Sequence, residues 1–170
     1  MDPLYVLRAA LSPSDVVLCH DVGPVSHPDL FDPKTSALYR LAYDKIRGVG
    51  PRMAFVSHSS RRAFEGLFGN HFRALHAIPL HIRKGSTEGP EEPVPGIREP
   101  FLLTVGAFER RKNLPRSIEA FSISGLAGDG YRYVLCGARG LDADEVTRAA
   151  AGAASVDLLS YVSDAQLRWL

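Results

Sequence analysis

The chain has 170 residues, 45% of them hydrophobic and 23% charged, which suits one globular domain or two small ones. Its 20 lysines and arginines against 19 acids leave a formal net charge of +1, so no global field recruits nucleic acid or a membrane, and any anion must be met by local charge. No apolar run approaches the ~18 residues of a membrane span. The N-terminus has no signal-peptide pattern. Cys19 and Cys136 each end an apolar run, as buried, reduced thiols of a cytosolic protein do, and no metal-ligand spacing is present.

The first predicted strand, Asp15–Cys19, runs into His20-Asp21 and a turn-rich stretch through Gly23, Pro24, His27 and Pro28. In open α/β sheets ligands bind beyond the carboxyl ends of the strands, and a histidine there can act as acid or base near neutral pH. The plainer role is that Asp21 caps the turn and His20 packs beside it; spacing alone leaves both readings open. His27-Pro28 reads as loop architecture. A helix follows, with Leu38, Leu41, Ala42 and Ile46 on one face.

The second strand, Arg52–Ser57, meets another helix through Ser57-His58-Ser59-Ser60-Arg61-Arg62. Two arginines in a first helical turn oppose the dipole and hint at an anion or acidic partner, which solvent exposure explains equally well. Ser57 and His58 do not form a nucleophile pair, because neighbours on a strand point to opposite faces and no elbow glycines flank the serine. This helix presents Ala63, Phe64, Leu67 and Phe68 and ends at Gly69; the third strand is Arg73–Ile78. The segment from Arg83 to Pro100 holds four prolines and three glycines with no apolar period, and reads as an extended linker.

The fourth strand, Phe101–Val105, ends at Gly106 and is followed by Arg110-Arg111-Lys112-Asn113. Strand, glycine turn, basic loop and helix start make an anion site, because the helix N-terminus offers unpaired N–H groups and a positive dipole end. The expected anion is a phosphate. Gly106 permits close approach of a ligand to the backbone. Arg110, Arg111 and Lys112 suit a diphosphate, by forks from arginine and a point charge from lysine. A run of cations is usually a solvated face; its position at a strand-to-helix junction favours the anion site, with at most two of the three reaching one ligand.

Asn113 is the expected N-cap of a helix carrying Leu114, Ile118 and Phe121. The fifth strand, Arg132–Cys136, runs into Gly137-Ala138-Arg139-Gly140, a tight loop able to border a nucleotide or to serve only as a turn. It lacks the full dinucleotide fingerprint, so NAD is not indicated. A helix around Val146, a sixth strand Val156–Leu159 and a capping-box start at Ser163–Gln166 complete the chain.

Alternation of β and α predicts parallel sheets with helices on both faces. The domains are expected over 1–82 and 101–170, joined by 83–100. Each has three predicted strands where a doubly wound sheet has five or six. The sequence therefore reads as the middle of a larger two-domain enzyme.

The run from Leu103 to Phe121, with Glu109-Arg110-Arg111-Lys112-Asn113-Leu114-Pro115 at its centre, resembles the opening of the C-terminal domain of group 1 (family 4) glycosyltransferases of GT-B fold. Tyr133–Gly140 is similar to that family's next strand and glycine turn, and Tyr161–Asp164 with Leu167 to its following segment. Upstream, His20-Asp21 with His27-Pro28 and Phe31, and Phe55–Arg62, resemble phrases of its N-terminal domain. The order is right, and the resemblance covers nearly the whole chain.

The resemblance implies two Rossmann-like domains, one for a nucleotide-diphosphate sugar and one for a saccharide or lipid-linked acceptor. It implies transfer with retention, without a metal or other cofactor, in polysaccharide or lipopolysaccharide assembly. The site would be cytoplasmic, with peripheral association at the inner face of the membrane compatible with it. By position Lys112 matches the family's phosphate-binding lysine. Gly106, Arg110, Arg111, Gly137 and Arg139 would border the donor diphosphate, and His20 and Asp21 would serve the catalytic side. Many members carry arginine directly after the glycine, where this chain has Ala107. The family's acidic E-x7-E segment and its N-terminal glycine-rich loop fall outside the sequence, so the chain alone is expected to be inactive. A non-catalytic nucleotide-binding or interaction module is the alternative, and another GT-B-like enzyme, an epimerase or phosphorylase, a third.

Overall fold

The computed structural model describes residues 1–81 and 88–170. The chain divides into two compact units, Met1–Ile82 and Arg83–Leu170. Each is built on a three-stranded parallel sheet, so the architecture is mixed α/β. The start of the expected linker, 83–87, lies outside the described residues. The remainder, 88–100, belongs to the second unit rather than running free: Glu92 N–H donates to Ala165 O (3.2 Å), Arg168 Nε donates to Pro90 O (2.9 Å), and Val94 is buried.

In the first unit the order is α1 (Pro3–Arg8), β1 (Val16–Cys19), a single turn α2 (Gly23–Ser26), α3 (Pro33–Val49), β2 (Arg52–Phe55), α4 (His58–Phe68) and β3 (Ala74–Ala77). The strands pair β1-β2-β3, with Val17 opposite Met53 and Met53 opposite Leu75. The hydrophobic pattern had not indicated α1. Its signal is Asp2-Pro3: the carboxylate accepts from Leu4 and Tyr5 N–H, and proline suits the first turn. Lys45 closes its other end, donating to Leu7 O (2.8 Å) and Ala9 O (2.7 Å). Asp32 caps α3 in the same way as Asp2 caps α1, and Gly50, at φ +65°, ends it.

The buried stripe of α3 is rotated from the one expected. Ala42, Tyr43 and Ile46 are buried, whereas Leu41 is 57% exposed. The Tyr43 ring takes the core position because Phe64 and Phe68 of α4 lie 5.8 and 5.0 Å from it, centroid to centroid. On α4 the buried stripe narrows to Phe64 and Phe68, with Leu67 exposed. Helices therefore cover the sheet face carrying Val17, Cys19, Met53 and Phe55. On the opposite face Val16 and Leu18 are 65% and 45% exposed, which departs from the expectation of helices on both faces.

The second unit runs β4 (Phe101–Val105), a 3-10 turn over Arg110–Lys112, α5 (Leu114–Ile123), β5 (Arg132–Cys136), α6 (Ala143–Ala151), β6 (Val156–Leu159) and α7 (Asp164–Trp169). Its strands pair β4-β5-β6. Leu114, Ile118 and Phe121 of α5 and Val146 and Ala150 of α6 pack over Tyr133 and Leu135. Phe101 meets Trp169 of α7, ring centroids 5.6 Å apart. The expected capping box opens α7, with Ser163 and Gln166 bonded reciprocally. No helix among the described residues is long and apolar enough to cross a membrane.

Candidate functional site

The carboxyl ends of β4 and β5 carry two loops that lie against each other. Gly106, at φ +127°, turns the chain out of β4, and its N–H donates to Cys136 O at the end of β5 (2.7 Å). A side chain at 106 would collide with the Lys112 ammonium, which donates to Val105 O (3.1 Å). Glycine is thus required here for its backbone, and a methyl would also displace the lysine tip from this place. The 3-10 turn returns the lysine to this place: Lys112 N–H donates to Glu109 O (2.9 Å) and Asn113 N–H to Arg110 O (3.0 Å). Asn113 stands at the start of α5 but not as the expected side-chain cap. Its backbone is left-handed, φ 49° and ψ 44°, and its side chain makes no capping bond. Asparagine tolerates that conformation better than most residues.

The second loop is locked to the first by short backbone contacts. Any side chain on Gly137 would run into the Gly106 carbonyl, and one on Gly140 would come within 2.6 Å of Glu109 Oε1 and 2.7 Å of Phe108 O. Phe108 N–H donates to Ala138 O (3.0 Å), and Asp142 N–H donates to Phe108 O (3.0 Å). The Phe108 ring is buried in the core below. Gly137 and Gly140 serve this close packing of loop on loop.

The four cations divide into two kinds. Arg110 Nε lies 3.3 Å from Asp142 Oδ1, and Arg139 Nη2 lies 2.5 Å from Asp144 Oδ1. Both acids belong to the start of α6, so these two arginines are turned toward protein carboxylates. Arg111 is exposed and has no ion-pair partner among the described residues. Lys112 spends one of its three N–H donors on Val105 O. Burial pushes the Cys136 thiol above its ordinary range, so it is a neutral neighbour of the loops and not a nucleophile.

His20 and Asp21 belong to the first unit and are described within it. Both side chains are exposed at the end of β1. Asp21 Oδ1 accepts from Gly23 N–H (2.8 Å), the turn-capping role weighed above. Two successive backbone carbonyls here are held by side chains: Ser60 Oγ donates to His20 O (2.7 Å) and Tyr43 OH donates to Asp21 O (2.8 Å). Ser57 Oγ caps α4 through Ser60 N–H (3.0 Å), consistent with its exclusion as a nucleophile. The His20 ring has no hydrogen-bond partner among the described residues.

Three residues that shape these sites were not singled out in the sequence. Phe108 plugs the loop pair, Asp142 holds Arg110, and Ser60 anchors His20. Asp142 left a trace as the first acid of Asp142-Ala143-Asp144-Glu145 at a helix start, and Ser60 as part of the Ser57–Arg62 junction. Among the described residues no group of three or more His, Cys, Asp or Glu could hold a metal ion. No family model matches the chain, and no curated protein matches it.

Proposed function

We propose that the paired loops of the second unit bind a nucleoside diphosphate, and that the chain is part of a glycosyltransferase of group 1, GT-B type. The donor would be a nucleotide-diphosphate sugar and the acceptor a saccharide or lipid-linked saccharide. The observation that carries the reading is Lys112: its ammonium is held over Gly106 at the carboxyl end of β4, where parallel sheets bind their ligands. Two donors remain on that ammonium, and Arg111 beside it brings a second charge. In sugar transfer the diphosphate leaves with negative charge developing on its bridging oxygen. Fixed cations aimed at that oxygen stabilise the transition state. Lys112 would supply this without a metal, with the exposed Arg111 as the second cation. His20 and Asp21, exposed at a strand end of the first unit, are the proposed polar groups on the acceptor side.

Titration of the chain with UDP, GDP and ADP by calorimetry tests the reading. Lys112→Ala is expected to weaken the tightest of these by about 1.5–3 kcal/mol, the worth of a charge-assisted hydrogen bond. Unchanged affinity would remove Lys112 from the site, and no binding by any of the three would remove the diphosphate.

A further inference from the structure

We infer that Asp142 is a positioning residue that withdraws Arg110 from the ligand and keeps it as a clip between the two loops; this rests on the anion-site reading above. Asp142 stands at the N-cap position of α6, where an aspartate ordinarily turns its carboxylate back onto the helix N–H groups. Here it makes no such bond. Its Oδ1 instead accepts from Arg110 Nε at 3.3 Å. The carboxylate is 8% exposed and the arginine 57%, so the acid is fixed and the arginine is drawn to it. The Asp142 N–H donates to Phe108 O, and Phe108 N–H donates to Ala138 O. One residue thus grips the β4–α5 loop at two places, by its backbone at Phe108 and by its side chain at Arg110.

The consequence is a division of charge. Of three consecutive cations, Arg110 is neutralised by Asp142, and Arg111 and Lys112 remain for an anion. Removing either member alone therefore changes the net charge of the loop pair in opposite directions. Asp142→Asn deletes the negative charge beside Arg110 and raises the net positive charge of the loop pair. Arg110→Gln leaves a nearly buried carboxylate uncompensated beside the site. Removing both restores the balance.

Inorganic pyrophosphate is the probe, titrated calorimetrically into the full chain, the two single variants and the double variant, with thermal midpoints recorded in parallel. Asp142→Asn is expected to tighten binding by about threefold and Arg110→Gln to weaken it by about threefold or more, as expected for one partly exposed charge. The double variant should return to the wild-type affinity. A purely structural role would lower the midpoint and weaken binding in both single variants. If Arg110 touches the anion, the double variant stays weak. Either result overturns the inference while leaving the anion site standing. Failure of the wild-type chain to bind pyrophosphate removes the site and this inference with it.

Discussion

Gly137 and Gly66 should respond to alanine in opposite ways, and the difference lies in what surrounds each. Gly137 has no left-handed backbone, yet a methyl there meets the carbonyl of Gly106, a backbone atom that cannot swing aside. Gly66 lies inside α4 with nothing within 4 Å of the added carbon. Gly137→Ala should cost about 2 kcal/mol or more through overpacking, and should also spread the loops and weaken pyrophosphate binding. Gly66→Ala should stabilise by about 0.5–1 kcal/mol, because alanine restricts the unfolded chain and favours helix. Urea midpoints of the two variants read both effects; a neutral Gly137→Ala would show that the loops are not packed as described. The glycines themselves stand out in the sequence. That Gly137 is needed for Gly106, thirty-one positions away, does not, because the requirement arises only when two strands pair in register.

At the scale of elements, all six strands are legible, since each is a short apolar run closed by polar or turn residues. The phase of the helices is less so. Leu38 and Leu41 fit an apolar stripe as well as Tyr39 and Tyr43 do, and only the aromatic cluster of α4 decides between them. Tyr43 then joins α3 to β1: its hydroxyl donates to Asp21 O and lies 3.1 Å from Cys19 Sγ. Burial raises the pKa of Tyr43, with Cys19 beside it adding to the rise, and burial raises that of Cys19 as well. Both groups are neutral when protonated, so the folded state holds protons that the unfolded chain releases. Their contribution is complete below the ordinary thiol value of 9.0. It falls as pH climbs past that value and past the ordinary phenol value of 10.0. Urea unfolding of the first unit should therefore be insensitive to pH from 7 to about 9 and weaken steeply above it. Tyr43→Phe should be less stable at pH 7, since Asp21 O loses its donor, and should show a shallower alkaline decline. An identical decline in the variant would separate Tyr43 from the transition.

For the whole molecule, the division into two units is foreshadowed by complete βα repeats on either side of the Pro/Gly-rich segment, and each unit has its own apolar core. The boundary was less legible, because prolines and glycines describe a stretch that does not continue a helix or strand, and say nothing of whether it packs. Residues 90–94 do pack, through backbone groups that composition cannot reveal. Charge is distributed in the same local manner. A formal charge of +1 gives the molecule almost no field at distance, while Arg111 and Lys112 concentrate two cations at one pair of loops. Anion binding should therefore depend on salt through those two residues and not through the chain as a whole. Raising ionic strength from ~0.05 M to ~0.5 M shortens the screening length to roughly 4 Å, and pyrophosphate affinity should fall over that range. In Lys112→Ala the fall should be distinctly shallower, because one of the two charges that salt screens is gone. Duplex DNA, which rewards an extended array of cations, should not be shifted in a gel at ~0.15 M salt. A salt slope unchanged in Lys112→Ala would mean that the anion is held elsewhere on the surface. A DNA shift would mean that the cations cooperate over a larger face than the two loops.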